Sequence, residues 1–154
     1  MANIEKGELK VPAIKDGSVI DHIPVEKVEP VVRLLDLFDL PYPITIGRNF
    51  RSRKLERKGI IKVEKKHFTP EEVNKLALVA PEVVINVIKD YEVVKKINVS
   101  LPDRLHSIVK CPNPKCITNN EPMESDFSVL DKKKGILQCK YCNRKIERGE
   151  VKLK

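Results

Sequence analysis

Apolar and polar positions change rhythm several times along the first hundred residues. Residues 9–14 and 18–22 alternate or run apolar over strand-like lengths, and Lys15-Asp16-Gly17 between them reads as a tight turn. Across 25–38 the period lengthens. Val28, Val31, Leu34, Leu35 and Phe38 form one helical stripe, with Pro30 placing the helix start near itself and Pro41 and Pro43 ending it. Residues 44–50 return to a strand pattern, 51–58 form a basic loop, and 59–68 alternate again. Thr69-Pro70-Glu71-Glu72 is a helix start, with a capping hydroxyl, proline at the first position and acids in the first turn. That helix runs to about Ala80 and halts before Pro81. Residues 83–88 and 91–97 are a last strand pair around Lys89-Asp90. The order β-β-α-β-β-α-β-β predicts an antiparallel sheet with two helices on one face, a ferredoxin-like α/β sandwich of the α+β class.

The pattern breaks near residues 98–103, where Pro102 stiffens the link. This predicts two domains, 1–99 and 100–154. In the second, Phe127, Val129, Leu130, Ile136, Leu137 and Ile146 are the main apolar supply of the strands expected after the first cysteine pair. Strands at 124–131, 135–139 and 145–149 with a C-terminal one would make a small β-meander, too poor in core to fold securely alone. All four cysteines lie here: Cys111-x4-Cys116, then 22 residues, then Cys139-x2-Cys142. Two close pairs on facing turns can set four thiolates at the corners of a tetrahedron. A redox pair would need a thioredoxin-like context that the chain lacks, and no histidine lies in the cluster to activate a nucleophile. The spacing predicts one structural zinc ion in a zinc-ribbon-like module. Such modules present a surface to a partner, and cysteine spacing leaves protein and nucleic acid both open.

Charge changes this picture little. The net +8 divides into +3 over residues 1–100 and +5 over 101–154, and most lysines sit near an acid, so a solvated ion-paired surface is favoured over a polyanion groove. No run of 18 apolar residues exists, and the start MANIEKGELK has no apolar signal core. A cytoplasmic location without membrane attachment is expected. The three histidines, His22, His67 and His106, fall in separate regions, and no phosphate loop, nucleophile elbow or metalloprotease motif is present. No catalytic constellation emerges. Some polar residues do interrupt apolar strands: Asp21-His22, Lys62, Asn86 and Lys95-Lys96. Strand alternation would put them on a solvated face. The functional alternative is one polar sheet face offering ammonium groups to phosphate and amides to a base.

Several segments together, VIDHIP, RLLDLF, ITIG, RKGIIKVE, LALVAPEVVINVI, DYEVVKK, SLPDRL, CPNPKC and CKYC, run in order along nearly the whole chain. In this the chain resembles the regulatory chains of aspartate carbamoyltransferase, an enzyme of pyrimidine biosynthesis. The resemblance implies a non-catalytic subunit with an N-terminal domain that binds CTP as inhibitor and ATP as activator. It implies a C-terminal zinc domain that docks on catalytic chains, and regulatory dimers that bridge two catalytic trimers. Carried over, the nucleotide site comprises Val11, Ala13, Ile14, Lys15, Asp21, His22, Lys62, Asn86, Ile88, Tyr91, Val93 and Lys96, and the metal ligands are Cys111, Cys116, Cys139 and Cys142. Lys96 and His22 suit triphosphate, Lys62 the ribose and phosphates, Tyr91 and the main chain near Ile14 the base edge, and Asp21 a ribose hydroxyl.

The chain departs from that pattern at Pro12, in a longer first helix, in the basic stretch 47–56, in a Cys116–Cys139 gap one residue short, and at Lys115 and Asn143. These positions bear on effector preference and allosteric strength. The rival expectation is a nucleic-acid-binding zinc-ribbon protein, supported by Lys132-Lys133-Lys134 and the basic 48–58 stretch. Only Phe127 and Tyr141 are aromatic in the tail, which provides poorly for base stacking.

Overall fold

The computed structural model describes residues 13–53 and 56–153. The chain divides into two compact units, Met1–Val99 and Ser100–Lys154. In the first unit β1 (Gly17–Pro24), α1 (Val28–Leu34), β2 (Ile44–Ser52), β3 (Glu56–Glu64), α2 (Pro70–Val79), β4 (Val84–Lys89) and β5 (Glu92–Asn98) follow in order. The strands form one sheet, β2-β3-β1-β4-β5, with every neighbouring pair antiparallel. Removing β5 leaves the ferredoxin-like order, in which β3 sits between β1 and β2. Of the expected strand at 9–14, residues 9–12 lie outside the described residues, and Ala13 and Ile14 carry no strand.

One face of this sheet lies under the helices. Gly59 on β3 marks it, because a Cβ there would collide with Val28 of α1. Ile61 and Val63 share that parity, and Ile20 pairs with Ile61 and Ile85. All are buried, with Val28, Val31, Val32, Leu35, Leu76 and Ala77 above them. α2 starts as expected. Thr69 Oγ1 accepts from the Glu72 amide at 3.2 Å, and Glu72 Oε1 accepts from the Thr69 amide at 2.9 Å.

α1 differs from expectation. A 3-10 turn, Val25–Lys27, precedes it, so Pro30 falls in the first turn, where its missing N–H costs nothing. The helix stops at Leu34, Asp36 adopts φ 50°, and Phe38 leaves the stripe to stand 78% exposed. The 51–58 loop is also corrected. The β2–β3 ladder continues through Phe50↔Lys58, Arg51↔Arg57 and Ser52↔Glu56, so the basic stretch is mostly hairpin.

The second unit carries β6 (Arg104–His106), β7 (Val109–Lys110), α3 (Ile117–Asn120), β8 (Asp126–Asp131), β9 (Ile136–Cys139), β10 (Lys145–Ile146) and β11 (Lys152–Leu153). Four strands form an antiparallel sheet, β10-β9-β8-β6, around buried Leu105, Phe127, Leu137 and Ile146. Arg104 on β6 clamps the buried Asp126 on β8. The C-terminal strand does not extend the meander. It pairs with β7 in a separate two-stranded ribbon. Among the described residues no helix is long and apolar enough to cross a membrane.

Candidate functional site

The four cysteines converge at the end of the second unit. Cys111 follows β7, Cys116 caps α3, Cys139 ends β9, and Cys142 sits in the β9–β10 turn. Their sulfurs all lie within 4.8 Å of one another. Across the two pairs, Cys111 Sγ is 3.6 Å from Cys142 Sγ and Cys116 Sγ is 3.8 Å from Cys139 Sγ. A tetrahedron with Zn–S of about 2.3 Å has edges of about 3.8 Å, so donor set and spacing both fit one structural zinc ion. No other cluster among the described residues could hold a metal. Burial pushes the Cys111 thiol up to about 12 and raises Cys139 as well. Burial also acts upward on Cys142, but the Arg144 backbone N–H and the Asn113 side chain outweigh it and lower this thiol to about 7. Buried thiols so close together resist joint ionisation unless a cation balances them, and a divalent metal supplies that charge.

In the first unit, the face away from the helices carries a row that crosses all five strands. Register places Thr45 opposite Lys62, Lys62 opposite Val19, Val19 opposite Asn86, and Asn86 opposite Lys96. An apolar cluster flanks the row: Ile14, Val19, Ile60 and Ile88, with Phe50 and Val93 packed against it. Six of the residues named from sequence, Ile14, Lys62, Asn86, Ile88, Val93 and Lys96, therefore share this face. Lys62 is 1% exposed, and burial lowers its pKa. Asn86 is 7% exposed, and among the described residues its carbonyl oxygen has no hydrogen-bond partner. Alternation had offered a solvated face as one reading. These two side chains are instead buried, and a buried unmet acceptor is costly unless something answers it.

Asp21 and His22 sit at a bulge, where the β1–β3 register shifts between Ile20 and Ile23 and His22 adopts φ 59°. The extra residue re-aims both side chains, a common device beside binding sites. Asp21 Oδ1 accepts from the His22 amide at 2.7 Å and pairs with Lys58 Nζ at 2.9 Å. Lys58 is buried and did not stand out in the sequence, where it reads as part of the solvated run RSRKLERK. Its only sequence signal is its parity with Ile60 and Lys62 along β3. An open cleft of about 870 Å³ adjoins His22 and Lys58 and is rimmed by Arg51, Arg53 and Arg57, with Glu56 the one acid.

Lys15 and Tyr91 meet at the other end of the face. Asp90 and Tyr91 both have positive φ, 51° and 66°, forming a two-residue hairpin turn of the kind usually built from Asn and Gly. The Tyr91 amide donates to Lys15 O at 3.0 Å, which ties the turn to the segment before β1. Tyr91 and Lys96 are exposed, as is Ala13. Val11 lies outside the described residues.

Residues 9–100 match the family described as the aspartate carbamoyltransferase regulatory chain, allosteric domain, and residues 103–152 match the metal binding domain of the same chain. An aspartate carbamoyltransferase regulatory chain of Phocaeicola vulgatus is 55% identical over 148 residues, 96% of each chain. That of Parabacteroides distasonis is 49% identical over 154 residues, the full length of both. That of Pyrococcus abyssi is 45% identical over 146 residues, 94% of this chain and 96% of its own.

Proposed function

This chain belongs to the aspartate carbamoyltransferase regulatory chain family, with its allosteric and its metal-binding domain, and from that premise we propose that the helix-free face of its first unit binds CTP and ATP at one shared site. It is a non-catalytic subunit. The observation that carries the nucleotide reading is a row that holds the buried Lys62 and, across Val19, the buried Asn86 carbonyl with no partner among the described residues, and that ends at Lys96. A base with an exocyclic amine answers the Asn86 oxygen, and triphosphate answers the ammonium groups. In this reading Lys96 and His22 hold phosphates, and Lys62 reaches ribose and phosphate. Asp21, steadied by Lys58, takes a ribose hydroxyl. Tyr91 and Lys15, tied at the turn, border the base together with Val11, Ala13, Ile14, Ile88 and Val93. The Arg51–Arg57 hairpin adds positive potential at the phosphate end.

Cys111, Cys116, Cys139 and Cys142 would hold the zinc ion, and the module they fold would dock on catalytic chains. The exposed Phe38, Tyr42 and Ile46 near the edge strand β2 support pairing of two regulatory chains. Nucleotide then acts by binding one quaternary state better than the other, which is what coupling between distant sites requires. The same reading places the assembly in the cytoplasm.

Replacing Lys96 tests the phosphate assignment. Loss of one charge-assisted hydrogen bond is worth about 1.5–3 kcal/mol, so Lys96→Ala should weaken CTP binding roughly 10- to 100-fold while metal content stays unchanged. Unaltered CTP affinity in that variant would remove Lys96 from the site.

A further inference from the structure

The two halves of the metal centre are held by different means. Around Cys139 and Cys142 the backbone closes a hairpin turn: the Cys139 amide donates to Arg144 O at 3.0 Å, and the Asn143 amide to Cys139 O at 2.9 Å, with Gln138 Nε2 adding one bond to Asn143 O at 3.1 Å. Between Cys111 and Cys116 the gap is four residues, and although the Cys116 amide donates to Asn113 O at 3.0 Å, side chains hold most of the loop. Asn119 Nδ2 donates to Cys111 O and to Asn113 O, each at 2.8 Å. Asn120 Nδ2 donates to Pro114 O at 3.0 Å and to Cys116 O at 2.9 Å. Two amides thus pin four carbonyls of one loop. Between them and Cys116 stands Thr118, buried, with Oγ1 3.1 Å from Cys116 Sγ.

We propose that Thr118 is a positioning residue of the metal centre, donating its hydroxyl proton to the Cys116 thiolate and orienting that sulfur toward the ion. The proposal rests on reading the four cysteines as a metal centre. In a thiol–hydroxyl pair either atom can donate. A metal-bound thiolate has no proton, so the direction is then fixed from oxygen to sulfur. Both groups are buried, so water cannot readily replace the hydroxyl. Outer-shell partners of this kind orient the ligand, and their loss typically costs 10- to 100-fold in metal affinity. Because α3 carries Thr118, Asn119 and Asn120 in one turn, the first cysteine pair is organised by that turn rather than by sheet hydrogen bonds.

The test uses the full chain loaded with Zn²⁺ or Co²⁺. Release of Zn²⁺ to excess chelator should be roughly tenfold faster in Thr118→Val than in the parent, with Thr118→Ser close to the parent. In the Co²⁺ form, the sulfur-to-metal charge-transfer band should shift in Thr118→Val and return in Thr118→Ser, a signature that lost packing alone would not give. Should the valine variant fail to load metal, Thr118→Ala removes the hydroxyl without adding bulk and is judged by the same criteria. Parent-like release and spectrum in the variants lacking the hydroxyl overturn the proposal, as does a serine variant that behaves like valine. A parent chain with no four-thiolate Co²⁺ spectrum overturns the metal reading itself, and the proposal with it.

Discussion

The two units close their interiors by different means. The first buries Ile20, Ile23, Val31, Leu37, Ile61, Val63, Leu76, Leu78 and Ile85 in a continuous layer between sheet and helices. The second buries Leu101, Leu105, Ile108, Val109, Phe127, Leu137 and Ile146, together with Cys111, Cys116 and Cys139. At about 25 cal/mol per Å² of apolar surface, the second supply is thin for a fold of that length, and the cysteines stand where a larger core would otherwise be. The difference has a functional side. A sheet stabilised on one face can carry costly polar residues on the other, so the first unit tolerates a buried lysine and an unmet amide oxygen. The second unit also buries unmet hydroxyls, at Ser107 and Ser125 among the described residues, but its better-placed polar groups hold the fold, as the Arg104–Asp126 clamp and the Asn119–Asn120 turn show.

The largest expected effect separates the units outright. Stripping the metal, or Cys111→Ser, removes a contribution on the order of 10 kcal/mol. Amide exchange should rise across β8 and β9 and stay slow in β1 and β3, and assembly with the catalytic chain should be lost. Retained protection in β8 without metal would erase the contrast. Next comes Leu76→Ala, which opens a cavity in the first unit worth about 2–5 kcal/mol. Denaturant unfolding of that unit should shift while metal content holds.

A smaller effect has the opposite sign. Burial depresses the Lys62 pKa below its ordinary 10.5, so the unfolded chain binds the proton more readily, and the first unit should gain stability as pH rises from the lowered value toward 10.5. Lys62→Met should flatten that profile while weakening nucleotide binding. A destabilised methionine variant would mean that Lys62 serves the fold. The smallest is Thr69→Ala, which removes half of the capping box and should cost about 1 kcal/mol, read as a modest drop in the melting temperature of the first unit.

Legibility in the sequence followed the same divide. The metal centre was plain because its chemistry is local: two short spacings bring four donors into reach. The α2 start was plain for the same reason, since Thr69 and Glu72 act within one turn. The polar face was harder, because strand alternation alone cannot say which face the helices cover, and that is decided by the packing of Gly59 against Val28. Asp21 and His22 stood out as polar interruptions of an apolar strand and gained their roles through resemblance, but the bulge that aims them depends on register with β3. Lys58 was missed because a lysine in a basic run looks solvated until Asp21 is brought beside it. The extension of β2 and β3 through the arginines was hidden for a similar reason, since like charges opposite one another argue against pairing.

In the proposed reading, effector recognition lives in the first unit and does not need the metal. Calorimetric titration of the chain with CTP, with ATP as competitor, before and after metal removal, tests this most directly. One saturable CTP site per chain is expected, displaced by ATP, with affinity little changed after the metal is stripped. Absence of CTP binding in the metal-loaded chain, or binding that vanishes with the metal, would contradict it.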